Sequence, residues 1–190
     1  MDKHHYKDVV PNTVQLAVTA HESGKFFEET GRCVAAAWFS IPAARWDEDV
    51  YELSRLVRAP DCDLQLTRLI SEALGKCEIK GLDLIVSYAD PEQGHHGGIY
   101  QAASWNYHGK RSSRLTGFLI DGEFTHARAL NHEYGTTSVS KLRELLPDST
   151  VEPKHAEGKY LYWKATTRDG ERKADRLGLE SNDYPKPDKD

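Results

Sequence analysis

The chain has 190 residues, 38% hydrophobic and 29% charged, with a formal net charge of −5 and a negative mean hydropathy. That length fits a single domain with a real core, and no apolar run approaches the ~20 residues that a membrane span needs. The start "MDKHHYKDVV" has no signal-peptide core, and Cys33, Cys62 and Cys77 form no C-x-x-C pair. These features point to a soluble protein of a reducing cytoplasm and argue against a disulfide framework or a cysteine zinc site. Charge is uneven: residues 1–52 hold nine acids against five Lys/Arg, whereas residues 105–143 hold six Lys/Arg against three acids. A local basic face can meet phosphate whatever the total, although a solvated surface explains the same residues.

In chain order, "CVAAAWFSI" (33–41) reads as a buried strand ended by Pro42, and "DVYELSRLVRAP" (49–60) as a second strand closed by Pro60. "DCDLQLTRLISEALGKC" predicts an amphipathic helix, with Leu66, Leu69, Ile70, Ala73, Leu74 and Cys77 on one stripe and Asp61 or Asp63 as its cap. "GLDLIVSYAD" (81–90) is a nearly continuous apolar strand, as expected where both faces of a sheet are covered. "PEQGHHGG" then reads as a flexible connection and "GIYQAAS" as a short helix. A hairpin turning on Asp121-Gly122 is predicted over 116–130, a helix capped by Ser138 or Ser140 over 138–146, and a strand over 159–166. From Thr167 the chain has almost no periodic apolar residues, so residues 1–166 are expected as the catalytic domain and 167–190 as a partly disordered, flexible tail.

Strand, loop, helix, strand, acid, helix is the order of a GNAT-type acyltransferase, so the expected fold is α/β: a GNAT-like mixed sheet flanked by helices, with an added C-terminal hairpin, helix and strand. The phosphate loop of that fold usually reads Q-x-x-G-x-G. Here it is "APDCDLQLT", with no glycine and with two acids that repel a pyrophosphate unless they point away. The blocks "HHY" (4–6), "ELSR" (52–55), "SYAD" (87–90) and "GGIYQAASW" (97–105) together resemble the Mom family of phage DNA-modification proteins, a divergent GNAT branch. The later "GTTSVSKLRELLP" and "KYLYW" extend the likeness, which covers roughly residues 4–165. The sequence departs from the family pattern at Lys7, where a serine is usual, and in having only Met1, Asp2 and Lys3 before "HHY" where members carry a helix.

The resemblance implies an enzyme that converts the 6-amino group of adenine in double-stranded DNA to a methylcarbamoyl form, protecting phage DNA from restriction in the cytoplasm of the infected host. It implies an acetyl-CoA or related acyl-CoA donor; iron and a homodimer are further possibilities. By residue, Asp90 is a candidate base, amine polariser or metal ligand, or a turn acid before Pro91. Tyr100 matches the position of a general acid near the thioester, or packs on Trp105. Arg55 on its strand would need an anionic partner or would be exposed; Arg58 competes with it, and Thr67 and Arg68 at the helix start join them as donor-binding candidates. His5 and Tyr6 match the family's "H-Y" pair, or are a tag remnant or frayed terminus. His95 and His96 read as loop residues near the site, and no metal-ligand spacing occurs. Trp105 and Tyr107 with Lys110, Arg111 and Arg114 suit an extruded base and its phosphates, or a strand with a solvated edge. An ordinary GNAT acetyltransferase and a non-catalytic GNAT-like binding or inhibitor protein are the other readings.

Overall fold

The structure is a computed structural model, and residues 13–22 and 31–186 are described. His4, His5 and Tyr6 lie outside them. The chain divides into two compact units: the first takes the chain up to Ala89, His95–Gly109 and the chain from Tyr160, and the second takes Asp90–Gly94 and Lys110–Lys159.

The first unit is built on a mixed sheet of strands β1 (Val14–His21), β2 (Cys33–Ser40), β3 (Tyr51–Arg58), β4 (Leu84–Ala89), β5 (Asn106–Lys110) and β9 (Tyr160–Ala165), in spatial order β1-β2-β3-β4-β9-β5. Only β3 and β4 pair in parallel among the registers described. Helix α1 (Leu66–Lys80) makes the crossover between them, as a parallel pair requires. α1 and the short α2 (Gly98–Ala102) pack on one face through Ala37, Phe39, Leu53, Ile70, Ile85 and their neighbours. Helix α5 (Arg168–Arg176) lies on the other, over a cluster of Val50, Leu84, Val86 and Leu161. β4 thus buries both faces, which explains its unbroken apolar run. This is the expected α/β architecture: a mixed sheet flanked by helices.

The strand and helix expectations hold within a residue or two at most places, with several differences, among them an unpredicted strand at Val151–Ala156. α1 starts at Leu66 after Gln65, which makes no side-chain cap; Asp61 instead pairs with Arg32 at 2.8 Å. "VQLAVTAH" forms an edge strand, with Leu16, Val18 and Ala20 packed inward and the alternate residues exposed. The predicted hairpin ends at His126, and "ARAL" opens a helix.

The largest correction concerns the expected tail. Thr167 Oγ1 accepts from the Gly170 N–H at 3.1 Å and caps α5, whose first turn carries Asp169 and Glu171 and whose last turn carries Lys173 and Arg176. Its buried residues are Gly170 and Ala174, and a Cβ at Gly170 would stand 2.0 Å from the Asp83 carbonyl. A helix that packs through its smallest residues shows no apolar period in sequence. Beyond it, Asn182 bridges to Tyr107 and the Tyr184 hydroxyl donates to the Trp105 carbonyl at 2.8 Å.

α5 is clasped by Lys173 Nζ, 3.0 Å from Asp83 Oδ2, with Thr167 donating to Oδ1 at 2.9 Å. Burial works against both charges, yet these bonds outweigh it and leave the Asp83 carboxyl below, and the Lys173 amine above, its ordinary value. The Asp83 contribution is present above the unfolded carboxylate value of about 4 and is lost as pH falls through its depressed folded value. The Lys173 contribution is present below about 10.4 and is lost as pH rises through its raised value. Asp83→Asn is therefore expected to cost about 1.5–3 kcal/mol near neutrality, read from urea midpoints, and much less in strong acid.

The second unit holds, among the described residues, an antiparallel sheet of β6 (Arg114–Ile120), β7 (Glu123–His126) and β8 (Val151–Ala156) in order β7-β6-β8. Helices α3 (Ala127–Tyr134) and α4 (Val139–Leu145) close one face through Phe118, Leu130, Leu142 and Val151.

Candidate functional site

The first unit's sheet opens between its two parallel strands. β3 and β4 are paired only at Tyr51↔Ile85 and Glu52↔Val86, although β3 continues to Arg58 and β4 to Ala89. The register between β2 and β3 slips at Ser54: Trp38 faces Arg55 while Phe39 faces Leu53, and Ser54 Oγ donates to the Trp38 carbonyl at 3.2 Å. Such a bulge bends a strand and sharpens its twist, which turns β3 away from β4. The gap lies at the carboxyl ends of parallel strands, where α/β sheets take ligands.

Ser87 sits at the inner end of this gap. Its Oγ is buried, 3.0 Å from the Leu53 carbonyl and 2.8 Å from the Tyr100 hydroxyl. A carbonyl only accepts, so the single serine proton serves Leu53 and the phenol can donate to Ser87. The Tyr100 ring is held by Trp105 and Tyr162, with centroids at 5.4 and 5.2 Å. The packing of Tyr100 on Trp105 is therefore met, and its hydroxyl is held by Ser87.

The loop after α2's predecessor strand is tied down as well. The Tyr162 hydroxyl donates to the His96 carbonyl at 2.7 Å and receives Gln101 Nε2 at 3.0 Å; burial raises the pKa of this phenol. Gly97 has φ +85°, and a Cβ there would stand 2.2 Å from the Tyr162 ring. The histidine pair therefore contributes a carbonyl to the architecture, and the "flexible connection" is anchored at His96. Sequence reading missed Ser87 and Tyr162, whose signal was only a serine and a tyrosine inside apolar strands.

The donor-binding candidates separate. The bulge places Arg58 with Leu53 and Leu56 on the α1 face, opposite Ala35, and Arg55 beside Trp38 on the other face. They do not converge on one phosphate. Arg58 donates to the Leu64 carbonyl at 2.9 Å and Arg55 to the Ser54 carbonyl at 2.9 Å. Thr67 and Arg68 lie in the first turn of α1, which contains no acid. Asp61 is drawn to Arg32, which also holds Glu22 at 2.8 Å, so one of the two repelling acids is neutralised.

In the second unit, Asp90 begins the segment that follows β4. Its Oδ1 accepts from the Glu92 N–H at 3.2 Å and caps a short 3-10 turn at Pro91–Gln93. Its Oδ2 pairs with Lys159 Nζ at 2.7 Å, with both side chains largely covered. The turn-acid reading of Asp90 is thus satisfied, with a cation that sequence reading did not single out. Glu92 Oε1 accepts from the Glu157 N–H at 2.9 Å, and Glu157 Oε2 meets Lys110 at 2.8 Å. Gly158 lets this segment pass Arg111, whose carbonyl a Cβ would strike.

The expected base-stacking role of Trp105 and Tyr107 is corrected. Trp105 is 0% exposed and Tyr107 9%, and the Tyr107 ring packs on Tyr160 and Tyr162. Lys110, Arg111 and Arg114 are accessible. Burial pushes the Cys77 thiol up to about 12, so it is no nucleophile. Among the described residues no group of three His, Cys, Asp or Glu side chains is arranged to hold a metal ion, and no helix is long and apolar enough to cross a membrane. A cavity of about 540 Å³ in the second unit is lined by Asp121, Glu123 and Glu133 with Tyr134 and Leu130, a carboxylate set that repels phosphate.

A model described as the Mom protein family matches residues 1–186. The chain belongs to the Mom family. Membership makes phage DNA modification its general function, and the match takes in every motif on which the resemblance rested. No curated protein matches the chain. For this Mom-family protein, the opening between β3 and β4 and the Ser87–Tyr100 pair are the features of the first unit best suited to chemistry.

Proposed function

We propose that this Mom-family protein modifies the 6-amino group of adenine in double-stranded DNA to a methylcarbamoyl form, using a coenzyme A thioester seated at the β3/β4 opening. The observation that carries this reading is the hydroxyl of Tyr100, held by Ser87 beside strands that separate after one short stretch of parallel pairing. The residues present suit an anionic donor at the start of α1: its first turn carries no acid, Asp61 is occupied by Arg32, and Thr67 and Arg68 stand in that turn. A helix N-terminus favours phosphate through its free N–H groups and its dipole. A bound thioester would supply an electrophilic carbonyl to which the amine nitrogen bonds as the C–S bond breaks and coenzyme A leaves as the thiol. Because acetyl transfer yields only acetyladenine, the donor's acyl group must itself carry the methylcarbamoyl nitrogen. Tyr100 Oη is the atom we assign to protonate the departing sulfur. The family resemblance nominates Asp90 as the base for the adenine amine; within its own unit this carboxylate is held by Lys159. Arg55 and Arg58 act by anchoring β3 and its following loop. The reaction takes place in the cytoplasm of the infected host and shields phage DNA from restriction.

Nucleoside mass spectrometry of plasmid DNA from cells expressing the chain tests the reading. A methylcarbamoyladenine is expected; an acetyladenine would change the donor, and unmodified adenine with ample folded protein would remove the function. Asp90→Asn keeps the acceptor for Glu92 but removes the charge facing Lys159, and is expected to take the adduct below detection with the fold intact. Full modification by that variant would remove Asp90 from the chemistry.

A further inference from the structure

The second unit's sheet has two unlike faces. Phe118 and Val151 point toward α3 and α4. Strand alternation sends Gly117, Phe124, His126 and Lys154 to the opposite side, since Gly117 pairs with both His126 and Lys154, and Phe124 pairs with Leu119. Arg114, opposite Ala156, joins this face next to Lys154, which lies two residues from Ala156 on β8.

One aromatic ring stands out on that side. Phe124 is 45% exposed. Its position is nevertheless defined. The ring lies over Gly117, where a Cβ would come within 2.7 Å of it, and the His126 ring meets it edge-on with centroids 4.8 Å apart. Any side chain at 117 would lift the ring. Lys154 and Arg114 are exposed toward the Gly117 end of this face, over which the ring lies, while the acid on this face, Glu152, lies across Leu119 level with Phe124. A positioned aromatic ring on a sheet, flanked by accessible cations, suits a nucleobase with its phosphates.

We propose that this face is the DNA-strand platform of the protein: Phe124 stacks an unpaired base, and Lys154 and Arg114 hold the neighbouring phosphates. The inference rests on DNA being the substrate and names where the strand is gripped. It also supplies the aromatic-plus-cation surface that the buried Trp105 cannot.

Binding of a fluorescent single-stranded deoxyoligonucleotide, followed by anisotropy across a salt series, tests it. Phe124→Ala is expected to weaken binding roughly tenfold and Phe124→Trp to preserve it. Arg114→Gln with Lys154→Gln is expected to flatten the log–log salt slope by about 1.4, the equivalent of two single-strand phosphate contacts. Both variants alter exposed side chains, and matching melting temperatures show that the fold is retained. Unchanged affinity in Phe124→Ala together with an unchanged slope in the double variant overturns the proposal, as does absence of binding by the parent chain. Failure here and failure of the proposed function are separable. A parent chain that modifies plasmid adenine while these variants bind normally removes only the platform. One that grips the oligonucleotide through Phe124 but leaves plasmid DNA unmodified removes only the chemistry.

Discussion

Tyr100→Phe lowers the adenine adduct in co-expressed plasmid DNA by about 10²-fold or more, the scale of a lost general acid, while leaving the protein folded. The substitution removes one oxygen and nothing else. The ring stays between Trp105 and Tyr162, and the lost hydrogen bond to Ser87 is worth about 0.5–1.5 kcal/mol. Ser87→Ala is the control that separates positioning from chemistry. It deletes the serine that orients the phenol but keeps the phenol itself, so it is expected to reduce modification far less than Tyr100→Phe. Equal adduct levels in the parent and Tyr100→Phe would show that this hydroxyl is only a packing and hydrogen-bonding group. Quantitative nucleoside mass spectrometry at matched protein levels distinguishes these outcomes.

Trp105→Ala destabilises the protein by about 3–5 kcal/mol, measured as the shift in denaturant midpoint at constant slope. Trp105 is fully buried in the cluster that joins α1, α2 and the sheet, so its removal leaves a cavity that rigid neighbours cannot fill. Its indole N–H has no acceptor among the described residues, so Trp105→Phe gives up volume without leaving a new polar group unpaired and is expected to cost distinctly less. The contrast with Phe124 is the useful part. Loss of Trp105 acts on stability, whereas loss of the exposed Phe124 acts on binding. A Trp105→Ala protein of normal stability but poor DNA affinity would restore Trp105 as a stacking surface and displace the sheet platform.

The same distinction marks what could be read from residues before any coordinates. Leu66, Leu69, Ile70, Ala73 and Cys77 recur at helical spacing because one face of α1 is buried on a sheet, and that period survives in sequence. β4 shows as an apolar run for a similar reason. α5 was illegible because its contacts are a glycine, an alanine and a lysine–aspartate clasp, none of which makes a hydrophobic period. β1 does alternate, with Leu16, Val18 and Ala20 inward and their neighbours exposed, so its period was present in the letters and went unread.

The sequence by itself determined the α/β class and the family, through the spacing of "SYAD" and "GGIYQAASW". Side-chain chemistry and local period carry that information. Only the tertiary structure decided which aromatic is core and which is surface, that Ser87 reaches Tyr100, that Lys159 faces Asp90, and that Arg58 and not Arg55 lies on the α1 face of β3. Each of these depends on partners distant in the chain or on a one-residue bulge. A bulge reverses the facing of every residue beyond it while leaving the letters of the strand unchanged.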